Sequence, residues 1–133
     1  MTYTVRLVST GERRFKSGDG SEHAVTKRLV EETSAQTLAA ADEAIRDALD
    51  APSEPSTKDA LMLSFSGSGL DVSEKDAAEI CDYYNRRLAL FDDIRRELQS
   101  FLSAGLPQFI VRRGLPAGKN SRDDSYVEIE VTT

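Results

Sequence analysis

Between residues 74 and 104, apolar residues return every three or four positions: Ala77, Ile80, Tyr84, Leu88, Phe91, Ile94, Leu98 and Phe101. That period predicts one long amphipathic helix. Ser73 is a natural N-cap and Asp76 stands where a capping-box acid belongs, with Val72 and Ala77 flanking the cap as a hydrophobic staple would. Gly105, Leu106 and Pro107 follow, the pattern of a left-handed glycine, an apolar residue folding back and a helix stopper.

Other stretches alternate instead. Tyr3, Val5 and Leu7 interleave with Thr4 and Arg6, which predicts a half-buried strand. Gly18-Asp19-Gly20 reads as a turn, with a returning strand over residues 23–33. Ser34 is expected to cap a first helix whose stripe is Leu38, Ala41, Ile45, Ala48 and Leu49. After the extended connector 51–56, Leu61, Leu63 and Phe65 alternate as a third strand running into Gly67-Ser68-Gly69. Residues 109–113 and 126–132 predict a closing hairpin, with Val127, Ile129 and Val131 inward and Tyr126, Glu128 and Glu130 outward. Matching the inward faces sets Val111 opposite Val127 and Phe109 opposite Ile129. The expected fold is α+β in the order ββαβαββ, a mostly antiparallel sheet with two helices on one face, folded as a single domain over residues 1–133.

A helix over residues 74–104 reaches roughly 46 Å, whereas a compact chain of 133 residues is only about 36 Å across. The overhang, and a heptad of Ala77, Tyr84, Phe91 and Leu98 against Ile80, Arg87, Ile94 and Phe101, point to a homodimer seam. Its contact residues would be Tyr84, Arg87, Leu88, Phe91, Ile94 and Leu98, with Arg87 as the charged interruption that sets register.

Charge refines this picture. The net charge is −6, and it is unevenly placed: residues 34–82 hold eleven acids against Arg46, Lys58 and Lys75, a local charge of −8. Such a middle repels nucleic acid and suits a basic partner face. Asp42, Glu43, Asp47 and Asp50 are the candidate surface there. Lys119 and Arg122 give the long hydrophilic loop 114–124 a positive tip, a second candidate recognition element. The recurring arginine pairs are partly matched by acids four residues upstream, as in Asp82–Arg86 and Asp92–Arg96.

Chemistry is sparsely provisioned. The chain has one histidine and one cysteine, so neither a disulfide framework nor a cysteine-rich metal site is expected. Cys81, beside Ile80, has the setting of a small hydrophobe. Gly67-Ser68-Gly69 completes neither a dinucleotide fingerprint nor a P-loop, and Asp71, Glu74 and Asp76 oppose a phosphate at the following helix end. No stretch has the length and apolarity of a membrane span and no secretory signal opens the chain, so a cytoplasmic protein is expected. The expectation is a non-enzymatic protein-binding module, of the small inhibitor, immunity or assembly-factor kind, without metal or cofactor. The alternative is a small anionic-ligand or nucleotide-binding domain using residues 67–73.

Overall fold

A computed structural model of the chain describes residues 1–115 and 125–132. Its elements are β1 (Thr2–Lys16), β2 (Glu22–Ala35), α1 (Leu38–Leu49), α2 (Lys58–Gly67), α3 (Glu74–Ala104), β3 (Gln108–Gly114) and β4 (Tyr126–Thr132). The strands form one antiparallel sheet in the order β2-β1-β4-β3. The fold is α+β, as the alternation and periodicity require.

The sheet's inner face carries Tyr3 and Val5 from β1, Val111 from β3, and Val127, Ile129 and Val131 from β4. Onto it α1 brings Ala41, Ile45 and Leu49, and α3 brings Phe91, Ile94, Leu98 and Phe101, all of them buried. Each helix is delimited by its own sequence. Thr37 rather than Ser34 caps α1, its side chain accepting the Ala40 N–H at 3.2 Å; Ser34 is still in β2, opposite Thr4. Ser73 caps α3 through the Asp76 N–H at 3.1 Å, and Gly105 ends it in the left-handed region at φ 67°. A side chain at that φ is strained, which is why glycine stands there.

Two further expectations are corrected. Residues 61–65 are helix, not strand, so the order is ββαααββ. Thr57 caps this helix, accepting the Ala60 N–H at 3.2 Å, and Leu61, Met62 and Phe65 are half-buried at helical spacing. Leu63, which the alternating pattern turned inward, is 76% exposed. The closing hairpin is shifted by two residues from the matched-face register: Val111 lies opposite Ile129, and Phe109 opposite Val131. A two-residue shift keeps every side chain on its own face, so the hydrophobic pattern does not distinguish the two registers.

The outer face of the sheet carries ion pairs beside a few apolar residues, Val8, Val30 and Ile110. Arg6 joins Glu32 at 2.9 Å and Glu130 at 2.7 Å, and Arg112 joins Glu128 at 3.1 Å. The hydrogen bond that Arg6 donates to Glu130, then the one to Glu32, raises the Arg6 pKa above its ordinary value. Arg112 and Arg28 also lie over the Tyr126 ring, at 4.5 and 5.9 Å from its centroid. Such a face needs no helix over it, as is usual for one side of an antiparallel sheet.

Candidate functional site

The long helix divides its stripe between two neighbours. Its C-terminal half fills the sheet core, while α2 lies on its N-terminal half and on no other described element. The overhang therefore has an intramolecular cover. Phe91, Ile94 and Leu98 are at most 1% exposed and are spent on the chain's own core. Tyr84, Arg87 and Leu88 are half-buried. Arg87 donates from Nη1 to the Leu49 carbonyl at 3.0 Å, and its guanidinium lies 4.6 Å from the Tyr83 ring centroid. It thus places a positive charge at the C-terminus of α1, where the helix dipole favours one. Three of the six seam residues are thus buried in the chain's own core and three are half-buried.

The connector between α1 and α2 is fixed to α3 by a polar clamp. Asn85 accepts the Ser56 N–H at 2.8 Å and donates to the Ser56 carbonyl at 2.9 Å. The Cys81 thiol donates to that carbonyl at 3.0 Å. Cys81 is thus a structural thiol at the point where α2 begins. Gly67 is the last residue of α2, and the loop behind it joins two helices. The strand–glycine–helix setting that the anion-binding alternative relies on is therefore absent from this segment. The Glu74 carboxylate at the start of α3 pairs with Lys58, which lowers its pKa through the Lys58 hydrogen bond and charge.

The acidic middle is dispersed by the fold, with one exception. Asp42 turns toward α3 and pairs with Arg95 at 3.2 Å. Asp50 is the C-cap of α1, in the left-handed region at φ 50°. Asp47, in contrast, lines a groove of about 340 Å³ between α1 and the β1–β2 hairpin. Glu43 and Glu31 line it too, together with Thr33 and the aliphatic side chains of Val5, Leu7, Ala40, Ala44 and Ala48. None of the three carboxylates is within ion-pair distance of a base among the described residues. Alternation explains the composition: Leu7 is opposite Glu31 and Val5 opposite Thr33, so all four face α1. Glu43 and Asp47 are one helical turn apart on the same side.

Glu31 belongs to this site and escaped the sequence reading, because it lies on a different element from the acidic middle. Its signal was an acid at an inward parity of β2, between Leu29 and Thr33. Lys119 and Arg122 lie outside the described residues, as does most of the loop they belong to. Among the described residues, no group of three or more His, Cys, Asp or Glu side chains could hold a metal ion, and no helix is long and apolar enough to cross a membrane. Neither a family model, nor a curated protein, nor a solved structure matches this chain.

Proposed function

We propose that the protein is a non-enzymatic protein-binding module whose groove between α1 and the β1–β2 hairpin receives a basic segment of a protein partner. The observation that carries this reading is the combination, in one open groove, of five aliphatic side chains and three carboxylates that make no ion pair among the described residues. A lysine or arginine has the complementary build, a hydrocarbon stem with a charge at its end. The aliphatic lining covers the stem, and Glu31, Glu43 and Asp47 receive the cation. Electrostatic attraction of this kind raises the association rate and sets partner sign more than it raises affinity.

The test is fluorescence anisotropy of a labelled peptide alternating lysine and leucine, titrated with the protein at two ionic strengths. Binding is expected to weaken as salt rises, because a Debye length shrinks from roughly 10 Å at 0.1 M to roughly 3 Å at 1 M. The double variant Glu43→Gln, Asp47→Asn should bind at least tenfold more weakly, while Asp71→Asn, which does not line the groove, should bind as wild type. Equal weakening by all of these variants, or none by any, would return the acids to a solubility role.

A further inference from the structure

The sheet ends on β3, which among the described strands has β4 as its only neighbour. Which backbone groups it leaves open follows from one hydrogen bond. The Leu115 N–H donates to the Ser125 carbonyl at 2.9 Å, continuing the β3–β4 register by one pair. In an antiparallel ladder, hydrogen-bonded pairs alternate with non-bonded ones. Phe109, Val111 and Arg113 therefore point their backbone groups at β4, whereas Gln108, Ile110, Arg112 and Gly114 point theirs at the open edge.

We propose that this edge pairs with the same edge of a second copy, about a two-fold axis at Ile110. That axis sets Ile110 opposite Ile110 of the second copy as a hydrogen-bonded pair, and Gln108 opposite Arg112 in both directions. Phe109 then meets Val111 on the inner face. Apolar residues meet apolar ones, and no like charges are opposed. An axis at Arg112 would oppose two guanidiniums, and one at Val111 would set Phe109 against Arg113.

Three observations favour this occupant. Ile110 and Leu106 are each 54% exposed, a large apolar surface for a strand edge and its approach. Beside the edge lies a groove of about 450 Å³ lined by Phe101, Ala104, Leu106 and Phe109, with the two phenyl rings stacked at 4.9 Å. The charges around it balance locally: Arg96, Arg112 and Arg113 accompany Asp93, Glu97 and Glu128, and Arg113 pairs with both Glu97 and Asp93. A chain of net charge −6 repels its own copies over most of its surface, but not here. The opposite edge, β2, borders the groove of Glu31, Glu43 and Asp47, where two copies would bring like charges together. The proposal is independent of what that acidic groove binds.

Crosslinking tests the register directly. Hydrogen-bonded antiparallel partners have Cα atoms about 5.5 Å apart, inside the range of roughly 4.4–6.8 Å that a disulfide spans. In a Cys81→Ser background, Ile110→Cys is expected to give a covalent dimer under mild oxidation. Arg112→Cys should not, because the two Arg112 Cα atoms would lie about 14 Å apart at four residues' rise. Sedimentation equilibrium supplies the second measurement: wild type should dimerise reversibly, Ile110→Lys should weaken the dimer at least tenfold, and Gln108→Glu, facing Arg112 across the axis, should tighten it. Leu63→Lys on α2 should leave it unchanged. A mass of 14.6 kDa at every concentration overturns the proposal, as does a dimer that Ile110→Lys leaves intact or crosslinking at Arg112→Cys equal to that at Ile110→Cys.

Discussion

Replacing Ile45 with Ala should destabilise the sheet core while leaving the opening of α2 untouched. Ile45 is 1% exposed, enclosed by the sheet and α3. Such a truncation removes buried methyl groups and leaves a cavity, at a cost of about 3 kcal/mol. At 1.36 kcal/mol per tenfold change, globally exchanging amides in α1 and β4 should exchange roughly 160-fold faster. Among the described residues, however, α2 contacts only α3 and contributes no buried residue. Its amides should exchange through a local opening that leaves Ile45 in place in both states, so their rates should not change. Thr57→Ala is the converse perturbation. Loss of the cap on α2 costs about 1 kcal/mol, roughly fivefold in exchange. Because every more fully unfolded state also contains an open α2, the core amides should gain that same factor. Peptide-resolved hydrogen–deuterium exchange measures both. If α2 amides accelerate alongside the core in Ile45→Ala, α2 unfolds only with the whole molecule and the division of α3 between two neighbours is energetically empty.

Asp50→Gly should raise stability by about 1 kcal/mol, because a left-handed conformation suits glycine and penalises other residues; a melting temperature roughly 4 °C higher is the expected result, and an unchanged one would count against strain at φ 50°. The Asp19 carboxyl is held at about 2 rather than its ordinary 3.8, chiefly by the Ser17 hydroxyl and next by the Ser21 backbone. A depressed acid stabilises the fold above its unfolded pKa, so this turn's contribution should be complete above pH about 4 and lost as pH falls toward 2. Carbon-detected NMR should show that low midpoint, and Ser17→Ala should return it toward 3.8; an ordinary midpoint in wild type would remove the effect. Leu63→Glu should change stability by no more than about 0.5 kcal/mol, since the side chain is 76% exposed; a larger loss on thermal unfolding would place Leu63 in a packed face.

The elements that could be read from the chain are those whose local signals agree with one another. For α3, period, cap, staple and stop all indicated the same helix, and its bounds of Glu74–Ala104 follow from them. For residues 57–67 the signals conflicted. Leu61, Leu63 and Phe65 alternate, but Leu61 and Met62 also sit one helical turn before Phe65, and a run this short satisfies both periods. The deciding information was in the cap. Thr57 precedes the run at the N-cap position, and Asn85, nearly thirty residues away in sequence, holds Ser56 so that the helix starts there. The hairpin register failed for a different reason, because a shift of two residues preserves facing and leaves pairing energies to choose.

Recognition surfaces were less legible because burial, not identity, decides what a charged or apolar residue offers. Asp42 and Asp47 are five positions apart on one helix, yet Asp42 is consumed by Arg95 while Asp47 opens into a groove with an acid from β2. Phe91 and Ile110 are both large and apolar, but the first is 1% exposed and the second 54%. Of the seam that the heptad pointed to, Phe91, Ile94 and Leu98 are the part that the chain fills with its own core. The edge that remains open is marked by no periodicity at all: it follows from strand order and from the direction of a single backbone hydrogen bond beyond β3. Hydrophobic pattern marks the faces a chain must bury, and the residues left for a partner are those the fold fails to use. Here these are an acidic groove beside β2 and an apolar edge at β3, at opposite ends of one sheet, the first acidic and the second with its charges locally paired. The two proposed interactions, self-pairing at one end and a basic partner at the other, therefore use separate surfaces.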